Sequence, residues 1–155
     1  MNKYFLKDEI LKIVEKLKNE NKKIVFTNGC FDILHVGHVR YLNKSAEFGD
    51  ILIVGLNSDA SVKRLKGESR PLNNENDRAE VLSALKSVDY VVLFNEDTPE
   101  NLLECIKPDI YTKGADYTLE TLPEAKTVIK NGGHVEFIEM VDGKSTTNII
   151  NNIKK

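Results

Sequence analysis

The sequence contains little cysteine and no marked excess of charge of either sign. Its two cysteines, Cys30 and Cys105, form no C-x-x-C motif and have no histidine at a zinc-ligand spacing. We therefore interpret both as reduced thiols. The 22 Lys and Arg residues nearly balance the 24 Asp and Glu residues, which leaves a net charge of −2 at pH 7. Because this balance gives no basic surface, we expect no nucleic acid partner.

The sequence also lacks an apolar run long enough to cross a membrane. Its first residues, Met1 to Tyr4, do not begin a signal peptide. We therefore expect a soluble, cytoplasmic protein with no membrane partner. A length of 155 residues fits one domain with a substantial core, so we predict a single domain over residues 1–155.

The most informative segment runs from Lys23 to Leu42. It begins with a short apolar, β-branched run typical of a buried strand, and the turn-forming sequence T-N-G-C follows. The sequence H-V-G-H comes next, and the apolar spacing beyond it predicts a helix whose first turn contains His38. The segment thus predicts a strand, a tight turn and the beginning of a helix.

This arrangement predicts an anion site. Free N–H groups and the positive end of the helix dipole favour phosphate, and Gly37 allows the backbone to approach it closely. The imidazoles of His35 and His38 could stabilise charge on a phosphoryl group during transfer. An isolated H-x-G-H could equally consist of a turn residue and a surface residue, but the preceding strand and following helix favour the phosphate site.

Apolar runs alternate with amphipathic segments along the rest of the chain. Residues 3–19 predict a helix that covers the sheet or forms a homodimer contact. A further helix is predicted over residues 121–131. The alternation predicts an α/β fold with a Rossmann-like, doubly wound, parallel five-stranded sheet. The five predicted strands cover residues 23–26, 51–56, 89–94, 108–112 and 134–138.

Polar segments follow four of these strands and should therefore meet at one edge of the sheet. They cover residues 27–38, 57–59, 113–117 and 142–147. Lys113 could contact phosphate or the nucleotide base, or it could face solvent. The run from Ser145 to Thr147 could bind phosphate or simply cap a helix. A charged segment from residue 63 to residue 76 is either a linker or a mobile loop that closes over a triphosphate.

The motifs resemble those of a known superfamily. G-C-F-D-I-L-H-V-G-H is similar to the signature of the nucleotidyltransferases whose hallmark is H-x-G-H, and S-T-T at residues 145–147 is similar to their second phosphate motif. Arg78 matches an Arg that opens the middle helix in that superfamily. The glycerol 3-phosphate cytidylyltransferases carry R-T-E-G-I-S-T-T as the second motif. This chain has M-V-D-G-K-S-T-T there and lacks the Arg.

A more extensive resemblance involves the D-glycero-D-manno-heptose 1-phosphate adenylyltransferase domain. The matching segments are residues 27–38, 56–71, 96–99, 113–117 and 142–150, with Leu56 in place of a Val. In many bacteria that domain is fused behind a sugar kinase, and this chain resembles a free-standing version.

The resemblance implies transfer of AMP from ATP to a sugar phosphate, with Mg²⁺ bound to the nucleotide and no dedicated metal site in the chain. A CTP-dependent enzyme acting on glycerol 3-phosphate or another phosphate is the alternative, and a non-catalytic nucleotide sensor is a second one. Asp32 could contact sugar hydroxyls or the shell of the Mg²⁺ ion.

We assign the site residues accordingly. Catalysis is assigned to His35, His38, Lys66 and Arg78. Nucleotide binding is assigned to both histidines and to Asn28, Gly29, Cys30, Phe31, Gly37, Lys113, Gly114, Ser145, Thr146 and Thr147. Acceptor binding is assigned to Asp32, Asn57, Asp59 and Arg64.

Overall fold

The computed structural model describes residues 3–139 and 146–154. Within these ranges the strands are β1 (Tyr4–Phe5), β2 (Ile24–Gly29), β3 (Ile51–Asn57), β4 (Tyr90–Phe94), β5 (Ile110–Gly114) and β6 (His134–Ile138). The helices are α1 (Lys7–Asn19), α2 (Val36–Ala46), α3 (Asp59–Lys66), α4 (Glu75–Ser83), α5 (Glu100–Ile106), α6 (Ala125–Lys130) and α7 (Thr146–Lys154).

The strands form one parallel sheet in the order β1-β4-β3-β2-β5-β6. From β2 the chain adds β3 and then β4 on one side, and it later places β5 on the other side of β2. The order therefore reverses between β2 and β5. In open α/β sheets, ligands bind at such a reversal, beyond the carboxyl ends of the strands.

Two apolar cores cover the two faces of the sheet. On one face Phe26 and Tyr111 pack with residues of α1, α5 and α6. On the other face Val25 and Val54 pack with residues of α2 and α4. The central strands are buried on both sides, which explains their continuous apolar sequences. The predicted Rossmann-like α/β fold is confirmed.

The N-terminal segment differs from the prediction. Tyr4 and Phe5 pair with Val91 and Val92 as a sixth, edge strand, so α1 begins at Lys7 instead of residue 3. A strand of two residues is too short to show a recognisable period in sequence. None of the helices in the described ranges is long and apolar enough to span a membrane.

The predicted helix over residues 121–131 is also shorter than expected. Thr118 and Thr121 bond each other through side chains and backbone, which forms turns ahead of α6. Hydroxyl groups that bond nearby backbone compete with helix formation in this way. The helix therefore begins only at Ala125.

Candidate active site

A cleft of about 520 Å³ opens at the carboxyl ends of β2, β3 and β5. The loop after β2 lines it with residues 28–32, and the first turn of α2 adds both histidines. Lys66 at the end of α3, Lys113 on β5 and Thr147 on α7 also line the cleft. The structure therefore brings together residues from four of the predicted segments, as expected from the strand order.

His35 caps the N-terminus of α2. Its Nδ1 atom accepts a hydrogen bond from the backbone N–H of Gly37 at 3.1 Å. A neutral imidazole that accepts at Nδ1 carries its hydrogen at Nε2. His35 therefore holds a donor on Nε2. The amide of Gly37 is thus bonded to His35, and the close approach of its backbone to the nucleotide stays a prediction.

His38 stacks against His35, with ring centroids 3.9 Å apart and planes inclined by 31°. Burial and, to a smaller extent, the neighbouring His35 lower the pKa of His38 to about 4. The side chain is therefore neutral near pH 7. Its Nδ1 atom is buried and bonds no group within the described part of the chain. The site thus contains an imidazole whose hydrogen-bonding capacity is only partly used by the protein.

Phe31 and Gly29 fix the position of the His38 ring. Phe31 has a left-handed backbone, with φ of 47°, and its ring meets the His38 ring edge-on at 5.2 Å between centroids. A Cβ atom on Gly29 would lie 2.9 Å from the ring of Phe31. Only glycine therefore fits there without moving Phe31, and through it His38. These contacts give both residues a positioning role. Both also line the cleft, so their predicted nucleotide contacts stay a prediction.

Two lysines supply positive charge to the cleft. Lys66 is exposed at its rim. Lys113 lies deeper, with Nζ 4.8 Å from the centroid of the Tyr117 ring. Burial lowers the pKa of Lys113, and the carboxylates of Glu124 and Asp116 oppose this shift. The lysines are thus placed where they can contact an anionic ligand.

Cys30 and the residues of α7 complete the predicted nucleotide-binding set. Cys30 lines the cleft, and burial raises the pKa of its thiol. Thr146 donates a hydrogen bond through Oγ1 to the carbonyl oxygen of Ile33 at 2.9 Å, which ties α7 to the loop before α2. Ser145 lies outside the described residues. Gly114 ends β5 opposite Ile138, is buried and is not one of the residues that line the cleft.

Arg78 does not reach the cleft. Its buried guanidinium donates hydrogen bonds to the carbonyl oxygens of Asn73, Cys30 and Asn57, at 2.7 to 2.9 Å, and to the carboxylate of Asp59 at 2.8 Å. The predicted catalytic contact of Arg78 with phosphate is therefore wrong, because protein acceptors occupy its donors. Asp59 pairs with Arg78 in the same network, so its predicted acceptor contact is wrong as well.

Asp32 also has a structural role. Its carboxylate accepts hydrogen bonds from the N–H groups of Leu72 and Asn73 at 2.8 to 2.9 Å. The Nε atom of Arg70 forms an ion pair with it at 3.4 Å. These contacts hold the loop after α3 against the loop after β2. They replace the predicted binding of sugar hydroxyls or the Mg²⁺ shell, since the oxygens are already engaged.

The remaining acceptor predictions divide between the cleft and the surface. Arg64 is exposed, pairs with Asp97 at 2.8 Å and bonds the carbonyl of Asn95, so its predicted acceptor contact is wrong. Asn57 lines the cleft, and its Nδ2 atom donates to Ser61 Oγ at 3.0 Å. Of the predicted acceptor residues, Asn57 alone both lines the cleft and forms no hydrogen bond through its side-chain oxygen within the described ranges.

Glu124 is a cleft residue that the sequence analysis missed. It is 6% exposed and precedes α6. Its Oε1 atom accepts from the hydroxyl of Tyr111 at 3.1 Å. Residues 121–131 were predicted as a helix, so nothing in their pattern singled out this carboxylate. Its location close after the K-G-A-D-Y segment is the one signal that could have done so.

No group of three or more His, Cys, Asp or Glu residues in the described ranges is arranged to hold a metal ion. The cleft does offer cationic and N–H donor groups, which suit the phosphates of a nucleotide. A divalent cation would therefore fit here as part of the bound nucleotide, held by phosphate oxygens and water.

The fold and this site together define the class of the protein. A parallel sheet whose order reverses at the cleft, with paired imidazoles at a helix N-terminus, is the arrangement of a nucleotide-binding transferase of the H-x-G-H type. Residues 26–152 match the pattern of a family described as Cytidylyltransferase-like, and the chain belongs to this family. The resemblance seen in the motifs is thereby confirmed.

The chain is also similar to proteins with the name Bifunctional protein HldE. It is 57% identical to that of Geobacter metallireducens over 146 residues, which cover 94% of this chain and 30% of the relative. It is 53% identical to that of Syntrophotalea carbinolica over 152 residues, or 98% of this chain and 31% of the relative. The chain thus spans about a third of the length of these curated relatives.

A solved structure gives the same result for the fold. The lipopolysaccharide core biosynthesis protein from Thermoplasma volcanium GSS1 aligns with a TM-score of 0.64 and 34% sequence identity. The alignment covers 77% of this chain and 97% of that protein.

Proposed function

We propose that this chain transfers AMP from ATP to D-glycero-D-manno-heptose 1-phosphate, which gives ADP-heptose and pyrophosphate. The observation that carries the proposal is the stacked pair His35 and His38 in a cleft at the N-terminus of α2. The motifs shared with the heptose 1-phosphate adenylyltransferases and the similarity to the HldE proteins support the same reaction. The similarity to a lipopolysaccharide core biosynthesis protein of Thermoplasma volcanium supports an acceptor that is a sugar phosphate.

The reaction requires positioning and charge stabilisation more than proton transfer. An oxygen of the acceptor phosphate attacks the α-phosphorus of ATP, a new P–O bond forms, and the bond to the bridging oxygen breaks as pyrophosphate leaves. The attacking oxygen is already ionised near neutral pH, so no strong base is needed. The neutral state of His38 fits this, because a neutral imidazole can still donate one N–H hydrogen bond.

Each cleft residue then has a role in this reaction. His35 donates through Nε2 and His38 through a ring N–H to oxygens of the α- and β-phosphates, and the N-terminus of α2 adds its dipole. Lys66 and Lys113 neutralise further phosphate charge. Thr147, at the beginning of α7, contributes a hydroxyl to the triphosphate. Phe31 holds the ring of His38 in position through the contact between the two rings.

A divalent cation, which we propose to be Mg²⁺, enters with the nucleotide and neutralises part of its charge. Use of ATP supports a cytoplasmic location. A homodimer contact through α1 stays a prediction, and the exposed Leu6 just before that helix is where it would be tested first.

Pyrophosphate release measured with four nucleotides and a panel of phosphate acceptors tests the proposal. The panel contains heptose 1-phosphate, other sugar 1-phosphates and glycerol 3-phosphate. We expect ATP to exceed CTP by at least about tenfold in kcat/KM with heptose 1-phosphate, or roughly 1.4 kcal/mol, because a wrong base leaves buried polar groups unpaired.

The panel also separates the alternatives. A preference for CTP with the same sugar phosphate would refute the adenylyl assignment while leaving nucleotidyl transfer intact. A preference for glycerol 3-phosphate would indicate a cytidylyltransferase of the alcohol phosphate type. No release with any pair would favour a nucleotide sensor.

A further inference from the structure

Arg70 lines the cleft, and its side chain is only 15% exposed. Its Nε atom lies 3.4 Å from Oδ2 of Asp32, close enough for an ion pair, but it is buried and forms no hydrogen bond within residues 3–139 and 146–154. The terminal N–H groups of the guanidinium bond no acceptor in those ranges either. An arginine side chain has five N–H donors. Arg70 therefore has donors available for a ligand in the cleft.

Arg78 provides a contrast within the same protein. Its guanidinium donates to three carbonyl oxygens and to the carboxylate of Asp59, and it does not line the cleft. Arg70 has one carboxylate beside it and bonds no carbonyl oxygen in the part of the chain that the structure describes. The donors of Arg78 thus hold the scaffold together, whereas those of Arg70 are left for a bound group.

Asp32 orients Arg70 without using its terminal donors. The side chain of Asp32 is 2% exposed, and its carboxylate accepts hydrogen bonds from the backbone N–H groups of Leu72 and Asn73. These donors compensate the buried carboxylate, so its charge does not depend on Arg70 alone. The ion pair is made at Nε, which leaves both terminal nitrogens for a ligand. A ligand in the cleft therefore meets the guanidinium before it meets the carboxylate.

The position of Arg70 in the chain places it at the phosphate end of the cleft. Asp32, its partner, belongs to the loop that leads into α2 and lies three residues before His35. Lys66, at the end of α3, lines the cleft from the other end of the loop that carries Arg70. A guanidinium matches two oxygens of one phosphate group with two parallel N–H bonds, which a lysine cannot do.

We propose that Arg70, oriented by Asp32, binds a phosphate group of the substrates through its terminal N–H groups. This inference rests on the proposed function, which supplies two sources of that chemistry, the triphosphate of ATP and the phosphate of the acceptor. It makes Arg70, in place of Arg78, the arginine that contacts substrate.

The test compares Arg70→Gln and Arg70→Lys with the wild type. Calorimetry measures the Kd of ATP with Mg²⁺ in the absence of acceptor, and the pyrophosphate-release assay measures the KM values for ATP and for heptose 1-phosphate. We expect Arg70→Gln to weaken binding of the contacted substrate by about 10- to 100-fold, as for loss of charged hydrogen bonds. Arg70→Lys keeps the charge beside Asp32 but lacks the planar fork, so we expect an intermediate loss.

The two arms distinguish the sources of the phosphate. A higher Kd and KM for ATP would assign Arg70 to the nucleotide. A higher KM for heptose 1-phosphate, with the Kd of ATP unchanged, would assign it to the acceptor. Either pattern supports the proposal.

Arg64→Gln is the matched control, since Arg64 is an exposed arginine that pairs with Asp97 and does not line the cleft. Its Kd and KM values should equal those of the wild type. An unchanged Kd for ATP together with unchanged KM values in Arg70→Gln would overturn the proposal and restrict Arg70 to holding Asp32. If that variant folds poorly, the same result in Arg70→Lys would overturn it.

Failure of the proposed function gives a different result, because the wild type itself would then release no pyrophosphate with any acceptor. Binding of ATP needs no turnover, so calorimetry would still decide the role of Arg70. Weaker binding of ATP by Arg70→Gln would then support the phosphate contact, and equal binding would overturn it.

Discussion

At the scale of single residues, the environment of His38 explains its protonation state. Its ring lies between Phe31 and His35, and burial there opposes a positive charge. The ordinary pKa near 6.5 thus falls to about 4 in the folded protein. Between about pH 6.5 and pH 4, His38 is protonated in the unfolded chain but stays neutral in the folded protein. The free energy of unfolding therefore decreases as the pH falls through this interval.

An NMR titration of the histidine rings measures this effect. We expect the His38 signals to stay constant from pH 8 to about pH 5 in the free protein and to shift only near pH 4. Adding a nucleotide should raise the pKa of His38, since a nearby negative charge favours the imidazolium form. The exposed His134 provides a comparison signal. Titration of His38 near pH 6.5 without ligand would contradict the account.

The residue scale also shows what the sequence could and could not predict. His35 and His38 were predictable because H-x-G-H between a strand and a helix needs only local spacing. Arg78, Asp32 and Arg64 were misassigned because a charged side chain does not reveal its partner in sequence. Here their partners come from distant segments, such as Cys30 for Arg78 and Leu72 for Asp32.

At the scale of elements, Arg78 joins α4 to the ends of two strands. Its guanidinium donates hydrogen bonds to the carbonyl oxygen of Cys30, just after β2, and to that of Asn57, the last residue of β3. The backbone of this region shapes the cleft, since Cys30 lines it directly. A residue of α4 thus supports the nucleotide site without contacting a ligand.

Arg78→Met tests this role. We expect the free energy of unfolding to fall by about 3–5 kcal/mol, because the change leaves Asp59 and three carbonyl oxygens without their donor. Chemical denaturation measures it. The matched control is Arg64→Met, an exposed ion pair whose loss should cost about 0–1 kcal/mol. A stable variant with a raised KM for ATP would restore the original phosphate assignment.

The loop between α3 and α4 has one anchored half. Leu72 and Asn73 donate to Asp32, whereas residues 67–70 form only two of the described backbone bonds, from Gly67 to Lys63 and from Arg70 to Gly67. Lys66 and Arg70, at the two ends of that segment, line the cleft. The loop can therefore close over a nucleotide while its far end stays fixed.

Amide hydrogen exchange tests the behaviour of this loop. We expect residues 67–70 to exchange rapidly in the free protein and more slowly with nucleotide and Mg²⁺, because contacts to phosphate would order them. The amides of Leu72 and Asn73 should be protected in both states. Equal exchange over residues 67–70 with and without ligand would mean that the segment is only a linker.

At the scale of the whole molecule, the strand order produces the site. Reversal between β2 and β5 opens the cleft, and it brings α2, α6 and α7 to one edge of the sheet. The alternating apolar pattern was sufficient to predict this architecture. It could not predict β1, whose two residues are recognisable only by their pairing with β4, nor the buried Glu124, whose environment depends on a strand distant in sequence.

The most direct test of the central claim follows the phosphorus atoms of ATP. The protein is incubated with heptose 1-phosphate, Mg²⁺ and ATP labelled at either the α- or the γ-phosphate. We expect the α label in a nucleotide sugar and the γ label in pyrophosphate, with both products absent when the acceptor is omitted. His38→Ala should give the same products about 10²–10³ times more slowly, since one donor to the transition state is lost. Transfer of the γ label to the sugar, or an unchanged rate in His38→Ala, would contradict nucleotidyl transfer by the paired histidines.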